Sequence, residues 1–489
     1  MRRSLPILLA LASAAACAPA RTAAPHPGPA RGLAAVVDSI ATTPPLHRTH
    51  WGVEVGVIGG TVLFRRNADD LFIPASNAKL PTLAAALDLL GPGYTWMTEV
   101  EAREVFDGVA GALVVRGSGD PTFSLAFHDA PLAALDSLAD SLALAGVREV
   151  AGPLVVDQSR FDSVLVHPAW ERYDVDWYYA APVAPFAVMA GAYPVVITPG
   201  AVGEPARVEV TLPAGLIGLD SRVATVDGER GWNDDVRRIA GADSAVLRGE
   251  IGAAAGPDTS WLAQDEPGRL AGRALALALE RRGIRFAGDV VVARDSATLA
   301  ATLPAGGGPR VRWRSAPLAD AARPALGESD NWITEQVLKT LGAELGERGS
   351  WSQGTAVVER FLTERVGVDS SALYLRDGSG LTAQNLITPR ALVQLLRYAA
   401  DRPWGEAFRD ALASPGEIGT TLEERLACCP RVAAKTGTIR HVNALSGYAT
   451  MPDGSVRVFS ILTNASGRPA SEVRRAMDRI VEAILQNGS

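Results

Sequence analysis

From residue 52 to residue 66 the chain reads GVEVGVIGGTVLFRR, with apolar and polar side chains alternating on either side of Gly59-Gly60. A period of two suits a strand with one buried face, and paired glycines suit a tight reversal, so the stretch predicts a β-hairpin. Helical spacing flanks it, from Leu33 to Thr42 and again from Ser76 to Leu90, where Gly91-Pro92-Gly93 ends the pattern. Between about 95 and 310 the pattern shortens to strand-like runs such as GALVVRG, GPLVVDQ, YPVVITPG, RVEVTLP and DVVVARD, interrupted by helical stretches at Pro131 to Ala145 and Leu270 to Arg282. Helices return at Asn331 to Leu345, Ser352 to Val366 and Thr388 to Asp401. Three more strand-like runs follow, VAAKTGT, ALSGYATM and VRVFSILTNA, and an amphipathic helix closes the chain from about Ala470 to Gln486.

Hairpin and helix at one end, strands and helix at the other, predict an α/β (α+β) domain with one antiparallel sheet flanked by helices, built from residues 33–95 and 310–489. Residues 96–309 then form one or more β-rich inserted domains, a tolerated arrangement where chain ends lie close together. The length of 489 residues, beyond what one core supports, agrees with several domains. A net charge of -7 with 21% charged residues gives no basic footprint for nucleic acid.

The opening MRRSLPILLALASAAACAPA has a basic start, an apolar run and small residues at its end, which reads as an export signal over residues 1–17. The rest of the chain is therefore expected in the periplasm or cell envelope. Two readings of Cys17 stay open, lipid attachment that tethers the protein to a membrane and ordinary cleavage nearby. Residues 18–32, rich in Pro, Ala and Gly, read as a disordered linker. Cys428 and Cys429 are adjacent and poorly placed for an ordinary disulfide. The six histidines are scattered, and His47 and His50 have no carboxylate near them in sequence, so no metal or cofactor is expected.

Three lysines, Lys79, Lys339 and Lys435, stand beside 44 arginines. Lys79 lies three residues after Ser76 at a helix start, and residues three apart share a helix face with β-carbons about 5–6 Å apart. A serine needs a base to become a nucleophile, and an amine whose pKa falls by roughly 3 units can supply it at neutral pH. A guanidinium cannot, because it does not lose its proton. Lys435 opens Lys435-Thr436-Gly437-Thr438, where a cation, two hydroxyls and a glycine allowing close backbone approach suit an anionic ligand. Ser329-Asp330-Asn331 precedes a helix and reads either as capping or as a proton relay (Ser329) with a substrate donor (Asn331). Lys339, farther along that helix, reads as a surface residue.

Ser-x-x-Lys, Ser-Asp-Asn and Lys-Thr-Gly in this order are the set found in penicillin-binding proteins and class A β-lactamases. About 250 residues separate Lys79 from Ser329, and about 104 separate Asn331 from Lys435. With that insertion the chain resembles the D-alanyl-D-alanine carboxypeptidase/endopeptidase family, the class C low-molecular-mass penicillin-binding proteins. GSGDPTF, VVDQSRFD, YAAPVAPF and LRDGSGLTAQNLITP also look like that family's, whereas Ala184-Pro185-Phe186 departs from its commoner Ser-Ala-Leu.

The resemblance implies that Ser76 attacks the bond between two D-alanines of a peptidoglycan stem peptide, that Lys79 takes its proton, and that Ser329, helped by Lys435, passes a proton to the leaving amine. It further implies that Asn331 holds the substrate amide and that the Ser76 and Thr438 N–H groups stabilise the oxyanion. Thr436, Gly437 and Thr438 would bind the terminal carboxylate, and β-lactams would trap Ser76. Tyr179 and Trp170, in WERYDVDWYY, are read as contacts to the stem side chain or equally as core packing, and Asp377 to Leu381 as part of the site or only a Gly-rich turn. Two rivals remain, a β-lactamase or esterase of the same superfamily and a catalytically silent binding or β-lactam-sensing protein.

Overall fold

The computed structural model describes residues 32–486 except 131, 234 and 305. The expected export signal, Cys17, the linker up to residue 31 and Pro131 lie outside the described residues.

The hairpin forms from His50–Val57 and Val62–Arg66. On its other side His50–Val57 pairs along its whole length with Val456–Asn464, and Val442–Thr450 and Val432–Ile439 complete a five-stranded antiparallel sheet. Strand periodicity explains the three layers. Trp51, Val53, Val55, Leu445, Phe459 and Ile461 pack in one core with helices Leu33–Thr42 and Ala470–Gln486. Ala444, Tyr448, Val458 and Leu462 pack in another with helices Lys79–Leu89, Asn331–Leu345 and Pro389–Ala400. Gly52 marks a close approach, since a Cβ there would lie 2.4 Å from the Phe72 ring.

The inserted stretch builds a seven-stranded mixed sheet with helices Ala133–Leu144 and Pro267–Arg281, and two three-stranded sheets. The longest strands of the seven-stranded sheet are Met97–Phe106 and Val109–Arg116. Arg310–Arg314 pairs with Met97–Phe106, so the sheet of the insert runs to residue 314. In one of the three-stranded sheets Ser244–Gly252 runs parallel to Gly218–Val226 and antiparallel to Asp235–Ile239.

The helix expected from Ser76 is divided. Ala75–Ala78 forms a 3-10 turn and the α-helix begins at Lys79. Pro81 lies in the first turn of that helix, where its missing N–H deprives no carbonyl of a partner.

Lys339 corrects a sequence reading. It is buried, not at the surface: its Nζ lies 2.8 Å from Asp162 Oδ1, donates to the Val164 carbonyl at 2.6 Å and sits 3.7 Å from the centre of the Trp351 ring. All three lysines are fully buried, whereas among the described residues no arginine is. An ammonium is satisfied by three oxygens, while a guanidinium brings five N–H groups that a core seldom matches. His50 also differs from its sequence reading, since Asp70 lies 3.2 Å away and the ring stacks on Phe72. Cys428 is exposed and Cys429 buried, both as free thiols.

Candidate active site

Ala75, which leads into the 3-10 turn, has φ +46°, a left-handed conformation that a residue with a β-carbon rarely holds. Next to it the Ser76 hydroxyl meets the amine of Lys79 at 2.9 Å. Lys79 Nζ has two further oxygen partners, Asn331 Oδ1 at 2.6 Å and the Ser379 carbonyl at 2.9 Å. Asn331 Nδ2 donates to the Tyr179 carbonyl at 2.7 Å, which fixes its amide with Oδ1 toward the lysine.

This shell has a chemical consequence. A carbonyl and an amide oxygen only accept hydrogen bonds, whereas a hydroxyl also donates. When Lys79 loses a proton, Ser76 is the one of the three partners able to give a hydrogen to its lone pair. Burial pulls the Lys79 pKa from 10.5 down to about 8, against the opposing charges of Glu335, Asp377 and Asp330.

Beneath the lysine, the Asn331 helix carries Glu335 one turn on. Its carboxylate accepts the N–H groups of Ser379 at 2.7 Å and Gly378 at 3.1 Å, and that of the Trp351 indole at 2.9 Å. Asp377 accepts from Gly380, Thr382, Asn385 and Trp170. These bonds fold Asp377 to Leu381 so that the Ser379 carbonyl faces Lys79. At Gly380, with φ +81°, a Cβ would lie 1.8 Å from the Ala75 carbonyl oxygen, so this loop presses directly on the turn that carries Ser76.

From the other side, Val432–Ile439 is the edge strand of its sheet. Asn77 Nδ2 ties to the Lys435 carbonyl at 3.0 Å, and a Cβ at Gly437 would lie 2.9 Å from the Pro74 carbonyl and 3.1 Å from the Ser76 nitrogen. Ala434 N–H points out of the sheet to the Ala413 carbonyl, and Thr438, four residues on, has the same parity. Lys435 is buried with its Nζ on the Thr436 carbonyl at 3.0 Å, and burial, followed by the charge of Lys79, lowers its pKa well below the usual lysine value.

Ser76 opens onto two cavities. The larger, about 710 Å³, is lined by Asp174, Tyr178, Tyr179, Asn331, Leu381 and Arg440 among others. The smaller, about 310 Å³, is lined by Ser329, Thr436, Gly437, Thr438, Arg425 and Arg474. Ser329 adopts a left-handed conformation (φ +70°) after a π-turn, and Asp330 caps the next helix by accepting the Ile333 N–H at 2.8 Å. Among the described residues no hydrogen bond joins Ser329 to Ser76 or Lys435. The structure thus links Ser76, Lys79 and Asn331 directly, and brings Ser329, Thr436, Gly437 and Thr438 to the same cavity.

Residues 33–484 match the D-Ala-D-Ala carboxypeptidase 3 (S13) family. The chain belongs to this family. A D-alanyl-D-alanine carboxypeptidase from Actinomadura sp. (strain R39) is 34% identical over 459 residues, covering 89% of this chain and 81% of that protein. Carboxypeptidase DacB of Mycolicibacterium smegmatis is 26% identical over 94% of this chain and 85% of its own. Among solved structures, penicillin binding protein 4 (DacB) from Haemophilus influenzae superposes with a TM-score of 0.78 at 22% identity, over 92% of this chain and 98% of that one. The same protein has been solved in complex with a β-lactam, with a TM-score of 0.74.

In this S13 family member the two aromatic candidates part company. Tyr179 lines the larger cavity, its hydroxyl 3.0 Å from Asp174 Oδ1. Trp170 lines neither cavity described above. It is 7% exposed, packs edge-on against Trp351 and donates its indole N–H to Asp377 at 2.9 Å, so core packing is the reading that its position supports. Sequence reasoning missed Glu335, Arg425 and Arg474, and it left Ser379 inside the stretch Asp377 to Leu381, read as part of the site or only a Gly-rich turn. A carboxylate four residues after Asn331 on the same helix was the available signal for Glu335, because i and i+4 share a helix face. The Ser379 carbonyl had none, since a backbone oxygen leaves no mark on composition.

Proposed function

We propose that this chain is a serine-type D-Ala-D-Ala carboxypeptidase that acts on peptidoglycan stem peptides through an acyl-enzyme on Ser76 and is inhibited by β-lactams. The observation that carries the reading is the shell of Lys79, in which Ser76 alone can donate a hydrogen to the amine once it is neutral. Ser76 Oγ attacks the carbonyl carbon of the penultimate D-alanine while its proton moves to Lys79 Nζ. The N–H groups of Ser76 and Thr438 receive the developing oxyanion, a contribution of about 3–4 kcal/mol per donor in comparable sites. The C–N bond then breaks, and the departing D-alanine amine takes, by way of Ser329 assisted by Lys435, the proton that Lys79 received. Water then attacks the ester while giving a proton to Lys79, and Lys79 returns a proton to Ser76 Oγ as the acid leaves.

The larger cavity takes the acyl side, held by Asn331 and flanked by Tyr179. The smaller takes the leaving residue, its carboxylate facing Thr436, Gly437, Thr438 and the guanidiniums of Arg425 and Arg474. Arg425 is shared with Asp478 at 2.7 Å, whereas Arg474 has no carboxylate partner among the described residues. The same cleft accommodates an endopeptidase reaction when the leaving amine belongs to a cross-linked strand. Export to the periplasm or cell envelope fits the substrate, and the sequence around Cys17 supports a lipid tether as part of this proposal.

Incubation of the purified protein with labelled penicillin and with a D-Ala-D-Ala-terminated muropeptide tests the reading. Label mapped to Ser76 together with D-alanine release is expected. Label without release would favour a sensor or a strict endopeptidase, rapid penicillin turnover a β-lactamase, and no label would refute the assignment.

A further inference from the structure

A third cavity, about 540 Å³, lies between the inserted strands Asp235–Ile239 and Ser244–Gly252 and the segment Arg172–Asp176. Four arginines line it, Arg172, Arg237, Arg238 and Arg248, together with Asp176, Asp235 and Asp265. Two of these carboxylates are already engaged. Asp176 holds Arg238 at 3.0 Å, and Asp265 accepts the Gly241 N–H and lies 3.8 Å from Arg269. Asp235 stands opposite Arg248 in the strand ladder without an ion pair. Arg172, Arg237 and Arg248 are exposed and have no carboxylate partner among the described residues, which leaves the cavity with an excess of forked donors suited to carboxylates.

The wall between this cavity and the Ser76 cleft is one stretch of chain with alternating faces. Glu171, Tyr173 and Asp174 line the larger cavity beside Ser76, while Arg172, Val175 and Asp176 line the arginine cavity. A ligand bound in one therefore borders the other across a single thickness of backbone. Peptidoglycan offers a matching arrangement, with stem peptides repeated along a strand, each bearing free carboxylates.

We propose that the arginine cavity is an exosite for the carboxylates of a second stem peptide, so that polymeric peptidoglycan is held at two points while a small peptide or a β-lactam is held at one. This inference rests on the carboxypeptidase reading for the identity of the ligand. Its test is separable. Wild-type protein, Arg237→Glu/Arg248→Glu and Arg237→Lys/Arg248→Lys are compared for labelled-penicillin acylation and for co-sedimentation with purified sacculi stripped of phosphate-bearing polymers, at low and at high salt.

Acylation is expected to be the same in all three proteins, because neither arginine touches the Ser76 cleft. Sacculus binding is expected to fall about tenfold or more in the glutamate variant, to survive in the lysine variant and to weaken with salt in the wild type. Equal binding by wild type and glutamate variant would overturn the exosite, and so would binding that needs the phosphate-bearing polymers. Failure of wild-type acylation would instead strike the carboxypeptidase reading and leave the binding comparison standing.

Discussion

Replacing Lys79 by arginine keeps a positive charge beside Ser76 and removes the one property the proposed mechanism asks of it, a proton that can leave. With a pKa of about 8 the amine is neutral in roughly one molecule in ten at pH 7, against about one in three thousand at the usual value of 10.5. Burial thus raises the population of the base about 300-fold, equivalent to about 3 kcal/mol. A guanidinium supplies essentially no neutral form, so Lys79→Arg should slow acylation by about 10²–10⁴-fold, the usual contribution of a positioned base.

The assay is the rate of Ser76 labelling by a fluorescent penicillin between pH 5.5 and 10. In the wild type the rate should climb about tenfold per pH unit and level off near pH 8. Five N–H groups in a shell of three oxygens strain the arginine variant, so the wild-type profile serves as an independent readout should that variant fold poorly. A wild-type rate flat across pH 6 to 9, or an arginine variant that acylates normally, would refute the role given to Lys79.

The same depressed pKa values bear on stability. Lys79 and Lys339 both titrate near 8 in the folded chain and near 10.5 when unfolded, so between these pH values the unfolded chain binds more protons. Unfolding free energy should therefore rise from pH 8 to pH 10.5, by at most about 3 kcal/mol for each lysine, and Lys339→Met should flatten that rise in denaturant titrations. Glu335→Ala would leave the indole of Trp351 and the N–H groups of Gly378 and Ser379 without their acceptor and should lower stability by about 3–5 kcal/mol in urea unfolding. Gly380→Ala would drive a β-carbon into the Ala75 carbonyl and should abolish penicillin labelling while binding to sacculi persists. Trp170→Phe should cost about 1 kcal/mol of stability through the lost bond to Asp377 and leave KM for a muropeptide unchanged; a raised KM would restore Trp170 to the substrate site.

The periodicity of the chain by itself determined the hairpin, the closing strands and the amphipathic helices, because a period of two or of 3.6 is written in local order. Composition singled out Lys79 and Lys435 in a chain that otherwise spends its positive charge on arginine, and three short motifs placed Ser76, Ser329 and Asn331 beside them. What lay outside local order was decided by the fold. Lys339 looked like a surface lysine because nothing near it in sequence announces Asp162, which reaches it from 177 residues away. Trp170 stood in an aromatic run next to Tyr179, yet the loop turns one ring inward to Asp377 and the other toward the cleft. The shell that makes Ser76 the hydrogen donor to Lys79 draws on residues 252 and 300 positions away, one of them through a backbone carbonyl. A sequence names the side chains able to do chemistry, but which oxygens surround a buried amine, and how far burial lowers its pKa, depends on tertiary packing.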